Sequence, residues 1–167
     1  ESDVTDKITA APLLRKSFVL RNEIKSAVLY ACGLDQAYYY INGAKITDEV
    51  MLTPISKYDT RVYVRVFDVA DFLTEGKNAI GCVLGNGLYL VTYPRWDYYK
   101  PVWMHHPKLI LKLVVEYTDG THSEIVSDSS WKAAKSPSMY NEDRRGEVYD
   151  ARLYIDGWSD AAFDDDD

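Results

Sequence analysis

The stretch Leu109-Ile110-Leu111-Lys112-Leu113-Val114-Val115-Glu116-Tyr117-Thr118-Asp119-Gly120-Thr121-His122-Ser123-Glu124-Ile125-Val126-Ser127 sets the fold class. Leu109, Leu111, Leu113 and Val115 alternate with Ile110, Lys112, Val114 and Glu116. That two-residue period places one apolar set on a core and a partly polar set toward solvent, which is the pattern of a strand and not of a helix. Asp119-Gly120 then supplies a turn, and His122 to Ser127 returns as the second arm of a hairpin.

The same grammar repeats in both directions along the chain. Strands are expected at Arg15 to Leu20, Lys25 to Cys32, Ala37 to Ile41, Val62 to Phe67 and Asn78 to Leu84, each bounded by Gly, Asn, Asp or Pro. Within Val62 to Phe67 the three valines at 62, 64 and 66 face opposite to Tyr63, Arg65 and Phe67. Asn42-Gly43 follows Tyr38-Tyr39-Tyr40-Ile41 and provides the positive φ angles of a tight turn, so a hairpin is expected from Ala37 to Thr47. The one helical piece is a short turn opened by Asp68, carrying Val69, Phe72 and Leu73, and left through Gly76 in a left-handed conformation. Many short strands without regularly spaced helices predict an all-β, antiparallel sandwich of jelly-roll or galactose-binding-like type.

Composition sets the outer bounds. The 167 residues are 47% hydrophobic and 27% charged, which suits one globular domain. No apolar run reaches the roughly 20 residues of a membrane span, since Lys25, Lys112 and Glu116 interrupt the best candidates, and a soluble chain is expected. A net charge of −7 with scattered Lys and Arg excludes a phosphate-tracking surface, and so nucleic acid as a partner. The acidic start Glu1-Ser2-Asp3-Val4-Thr5-Asp6 has no leader character; a leader, if the natural protein has one, has been removed. Cys32 and Cys82 each sit in an apolar run and are expected as buried free thiols, which leaves the compartment open, with periplasmic or extracellular preferred to cytoplasmic.

The expected organisation is a lead-in over residues 1–10, one sandwich domain over 11–159, and an acidic linker over 160–167. Two stretches look irregular, Leu88 to Pro107 and Ser136 to Val148, and loops of this length carry function or wrap the domain. Trp131 is expected to open a short strand and Trp158 to close the sandwich, both as structural aromatics.

Three segments, taken in order, resemble the N-terminal domain of bacterial α-L-rhamnosidases, glycoside hydrolases that act on plant and microbial glycans. They are Ala31-Cys32-Gly33-Leu34-Asp35-Gln36-Ala37-Tyr38-Tyr39-Tyr40-Ile41-Asn42-Gly43; the series from Leu52-Thr53-Pro54 and Tyr58 through Val62 to Asp68, Leu73, Gly76 and Asn78 to Leu84-Gly85-Asn86-Gly87-Leu88-Tyr89; and Trp131-Lys132 with Gly146-Glu147-Val148-Tyr149-Asp150-Ala151-Arg152 and Gly157-Trp158. The likeness spans about Ala11 to Trp158. Family members often carry Trp where this chain has Leu88. The resemblance implies a non-catalytic accessory domain that supports or positions a catalytic (α/α)6 barrel elsewhere in the same parent polypeptide. It leaves as the alternative an autonomous module that binds a rhamnose-containing glycan, with calcium as a candidate cofactor. Hydrolysis by this chain itself ranks third, because its many acids show no identifiable pair.

Sugar-binding candidates come from the aromatic loop and the turn before it: Asn86, Tyr89, Tyr93, Trp96, Asp97 and Tyr98. A pyranose packs its C–H face on an aromatic plane while directed polar groups take its hydroxyls, and Trp96 beside Asp97 offers both. The preferred competing reading folds these aromatics over a sheet or against a neighbouring domain. For calcium, Asp48, Glu49 and Asp97 are the nominal ligands. His105, His106 and His122 lack the partners and spacing of a zinc site. Gly85-Asn86-Gly87 lacks the following Lys of a phosphate loop and reads as a sharp backbone turn.

Overall fold

The computed structural model describes residues 10–90, 103–143 and 145–165. Eleven strands are found among them: β1 Pro12–Leu20, β2 Ile24–Leu34, β3 Gln36–Ile41, β4 Ala44–Lys45, β5 Arg65–Asp68, β6 Gly76–Gly85, β7 Lys108–Tyr117, β8 His122–Val126, β9 Lys132–Lys135, β10 Ser138–Glu142 and β11 Gly146–Tyr149. A five-stranded sheet in the order β4-β3-β6-β1-β9 faces a four-stranded sheet in the order β5-β2-β7-β8, and every pairing is antiparallel. This is the expected antiparallel sandwich.

Alternation fixes which side chains meet between the sheets. From the four-stranded sheet come Leu29 and Ala31 of β2, Leu111, Leu113 and Val115 of β7 and Ile125 of β8; from the other come Tyr39, Ile41, Ile80, Cys82 and Leu84. The inward set on β7 is the one its spacing predicts, and Ile110 on the opposite face is 66% exposed. Burying a Leu- or Ile-sized side chain contributes roughly 1.5–3 kcal/mol, so this layer is the main source of stability. Cys32 and Cys82 are buried free thiols, and burial raises both pKa values.

Local polar devices hold the strand ends. Asn42 and Gly43 have φ of 50° and 84°, the paired left-handed residues of the expected tight turn. Asn42 also donates through Nδ2 to the carbonyl of Phe72 (2.9 Å) and to Oδ1 of Asn78 (2.8 Å), and accepts from the N–H of Ala79 (2.9 Å). Asn78, fully buried, completes the node by donating to the carbonyls of Thr74 (2.7 Å) and Gly76 (2.9 Å). One hydrogen-bonded pair of asparagines therefore ties the β3–β4 turn to the start of β6. The short turn is a one-turn 3-10 helix, Ala70–Phe72, with Asp68 accepting from the Ala70 N–H (3.2 Å) and Gly76 at φ 90°.

Four expectations are corrected. Strand β5 begins at Arg65 and not at Val62, because β2 beyond Ala31 pairs only with β7 and offers no partner to the earlier residues. At Asp119-Gly120 only Gly120 takes a positive φ, in a wider turn closed by Tyr117 N–H to Thr121 O (2.9 Å). Residues 136–148 are not irregular: β10 and β11 form a hairpin in which β10 buries the polar Ser138 and Glu142 and β11 is exposed throughout, so there is no apolar alternation to read. Residues 160–165 lie against the domain, with Asp165 paired to Arg15. Among the described residues no helix is long and apolar enough to cross a membrane.

Candidate functional site

Two places gather polar and aromatic groups. The first lies on the outer face of the five-stranded sheet. Register puts Tyr38, Val83 and Leu13 in one row and Tyr40, Gly81 and Arg15 in the next, all pointing away from the core. The β10–β11 hairpin and the segment after it form a roof over this face. Ala11 anchors the roof by exchanging backbone hydrogen bonds with Ser136 and Ser138 (both 2.9 Å). Trp158 lies on Gly81, where an added Cβ would meet its ring at 2.6 Å, and packs edge-on against Tyr40 at 5.5 Å. Only a glycine admits the indole there.

Between sheet and roof is a cavity of about 540 Å³, lined by Gln36, Tyr38, Tyr40, Val83, Asn86, Asn141, Glu142, Glu147, Tyr149, Tyr154 and Trp158 among others. Among the described residues the lining joins aromatic walls and amide groups to two carboxylates and no Lys or Arg, which suits an uncharged ligand better than an anion. Glu142 is not a free acid: its buried carboxylate accepts from the Tyr140 hydroxyl (2.9 Å) and stands 3.8 Å from Nε of Arg145.

The second place is the corner where β2 passes to β3 through the single residue Asp35, taking the chain from one sheet to the other. Asp35 is 1% exposed. Its Oδ2 accepts the Tyr89 N–H at 2.5 Å, and a Cβ at Gly87 would stand 2.7 Å from the same oxygen. Burial pushes the carboxyl up to about 6, the backbone N–H groups of Tyr89, Leu90 and Gly87 pull against that shift, and Asp143 adds to it. Beside it, burial and the Asp35 carboxylate raise the Tyr58 phenol to about 12. Tyr58 packs edge-on against both Tyr89 (5.2 Å) and Trp103 (6.2 Å), so the residues that flank the aromatic loop meet on one ring.

The expected site residues fall as follows. Asn86 lines the cavity, bound to Asn141 through its N–H (2.6 Å) and its Nδ2 (3.2 Å). Tyr89 is 5% exposed and packed on Tyr58, so it offers no open face to a sugar. Tyr93, Trp96, Asp97 and Tyr98 lie outside the described residues. Asp48 is exposed, while Glu49 accepts from Nη2 of Arg65 at 2.5 Å and so is held in an ion pair. Among the described residues no three His, Cys, Asp or Glu side chains come together as a metal site.

Sequence reasoning missed the buried Asp35 at the corner, and it missed Tyr38 and Tyr40 with the cavity over them. The alternation Gln36-Ala37-Tyr38-Tyr39-Tyr40 already separates Tyr38 and Tyr40 from Tyr39, but what covers the outer pair comes from more than 100 residues later.

Comparison with known proteins agrees with this architecture. Residues 22–167 match the model of the α-L-rhamnosidase N-terminal domain. An α-L-rhamnosidase of Formosa agariphila is 34% identical over 161 residues, which covers 93% of this chain and 17% of that protein. The solved α-L-rhamnosidase from Dictyoglumus thermophilum superposes with a TM-score of 0.85 at 41% identity, over 94% of this chain and 17% of its own. That from Aspergillus terreus gives 0.88 at 34%, over 95% and 18%. The chain thus spans about a sixth of the length of these relatives.

Proposed function

Because the chain belongs to the α-L-rhamnosidase N-terminal domain family, we propose that it is the non-catalytic accessory domain of an α-L-rhamnosidase-like glycoside hydrolase, supporting or positioning a catalytic region elsewhere in the parent polypeptide. The observation that carries this reading is coverage: nearly the whole chain aligns with 17% of α-L-rhamnosidases, so most of each relative lies outside it. The chemistry at the cavity is in keeping. Glycoside hydrolysis needs two carboxyl groups flanking the bond. Of the two carboxylates that line the cavity, Glu142 and Glu147, Glu142 is committed to Tyr140 and Arg145.

The test compares hydrolysis of an aryl α-L-rhamnoside by three species: the longer parent, the parent lacking residues 10–165, and the present chain alone. The expected result is no turnover by the chain alone and a parent that loses activity or heat resistance when the domain is removed. Turnover by the isolated chain, or a truncated parent identical in activity and in thermal inactivation, overturns the proposal.

A second reading, an autonomous module for rhamnose or a related sugar, draws support from the aromatic and amide lining of the cavity. Calorimetric titration of the chain with L-rhamnose, with and without calcium, tests it. Saturable heat abolished by Tyr40→Ala supports a sugar site in the cavity, and no heat at millimolar sugar removes this reading.

A further inference from the structure

The two outer faces of the sandwich are unlike. That of the five-stranded sheet is roofed by the chain's own later residues, whereas among the described residues no such roof lies over that of the four-stranded sheet. Register sets Val66, Tyr30, Lys112 and Val126 side by side in one row across all four strands. Val66 is 57% exposed, Tyr30 42% and Val126 41%, and Ile110, two residues before Lys112 on the same face of β7, is 66% exposed. In the adjoining row Val28 and Val114 are half-buried. The one cation in the Tyr30 row, Lys112, is paired through Nζ to Oε1 of Glu124 at 2.6 Å, and the adjoining row ends on the acids Asp68 and Glu124, so the apolar patch has an acidic edge.

Contiguous apolar surface of this kind marks an interaction site. We infer that this face is where the domain docks on another domain of the same longer polypeptide, one that presents an apolar patch. Two observations choose that occupant over a second copy of this chain. The relatives are about six times as long as the domain, which is 17% of them. A tethered neighbour is therefore present at an effective concentration on the order of millimolar. Two copies, in contrast, carry −7 each and repel. The inference rests on the accessory-domain reading but is tested without measuring activity.

The experiment is hydroxyl-radical oxidation read by mass spectrometry, on the isolated chain and on the longer parent. Tyr30 and Ile110 are expected to oxidise about fivefold more slowly in the parent, as side chains in a desolvated interface do. Equal rates in the two overturn the proposal. A second measurement uses the parent carrying Val66→Lys and Ile110→Lys. Limited proteolysis should release the domain faster than from the unmodified parent, and an unchanged rate counts against docking through this face. Sedimentation of the isolated chain separates the other occupant: a monomer agrees with the proposal, and a dimer that protects Tyr30 and Ile110 replaces it with self-association. Protection in a parent whose activity is indifferent to removal of the domain would keep the docking face and sink the accessory role.

Discussion

The two outer faces are built from the same alternating strands, yet they end in different environments. On the five-stranded sheet the outward residues include Leu13 and Arg15, each 5% exposed, because the β10–β11 hairpin and residues 150–165 fold back over them. On the four-stranded sheet the outward residues Tyr30, Val66, Ile110 and Val126 keep two-fifths or more of their surface. A strand's sequence states that one face is buried in the sandwich core. It says little about the other face, whose fate depends on whether some distant segment returns to cover it. Among the described residues a distant segment returns to one face only.

Removing the roof is the largest test of the difference. Trp158→Ala empties the indole's place over Gly81 and beside Tyr40 and should cost about 3 kcal/mol in urea unfolding of the isolated chain, at the lower end for a Trp truncation because the residue is only partly buried. Gly81→Ala should cost about 2 kcal/mol by overpacking against that ring, and much less in a Trp158→Ala background. Additive costs would mean that the indole does not rest on Gly81 in solution.

Asp35 stands at the crossing between the two sheets, and its effect is read through pH. The folded carboxyl titrates at about 6 against an ordinary value of 3.8, so between those values the folded state holds more protons than the unfolded one. Its contribution is fully present below pH 3.8 and is lost as pH rises through 6. Two pH steps of shift correspond to roughly 3 kcal/mol as an upper figure. Asp35→Asn should remove this dependence, so the stability of the parent sequence relative to the variant should fall between pH 4 and pH 7. A difference that stays flat across that range would show that Asp35 is solvated and that the turn at Gly87 to Leu90 is not closed over it.

The far end of the roof is held by a smaller device. Nε of Arg15 donates to Asp165 Oδ2 at 2.8 Å, its Nη2 to the carbonyl of Phe163 at 3.3 Å, and its guanidinium lies over the Phe163 ring. Burial works against the Asp165 carboxylate, but Arg15 and then Lys132 hold it below its ordinary range. Asp165→Asn leaves the Arg15 charge enclosed without its counter-ion and should cost about 1–2 kcal/mol. Proteolysis within residues 160–165 should quicken at the same time. No change in either would mean that the acidic end does not dock on β1.

The sandwich was legible because its signals are local. The alternation from Leu109 to Val115, the Asn42-Gly43 turn and the Asp68 to Gly76 connector each need only a few neighbouring residues. The candidate site was not, because it is assembled across long separations: Asn86 with Asn141, Tyr40 with Trp158, Asp35 with Tyr89. Tyr89 stands in an aromatic run that the sequence reads either as a sugar platform or, by preference, as rings packed over a sheet or a neighbouring domain, and it is 5% exposed against Tyr58. Density of rings in a sequence does not separate a binding surface from a packed cluster, since both are favoured by the same area and the same polar edge. The β10–β11 hairpin left no trace for a related reason: the buried positions of β10 are the polar Ser138 and Glu142 and β11 is exposed throughout, so neither strand alternates apolar with polar.

The smallest expected effect bears on the bare face. Ile110→Ser removes an apolar side chain that is already 66% in water, so in the isolated chain its unfolding free energy should change by no more than about 0.5 kcal/mol. The apolar surface that Ile110 keeps would be covered only when something docks on it. In the longer parent the same substitution should therefore weaken the hold of this domain on its neighbour, while the isolated chain barely registers it. A cost of about 2 kcal/mol or more in the isolated chain would show that some part of the chain already covers Ile110. The two outer faces would then be alike, each roofed from within, and the contrast between them would be lost.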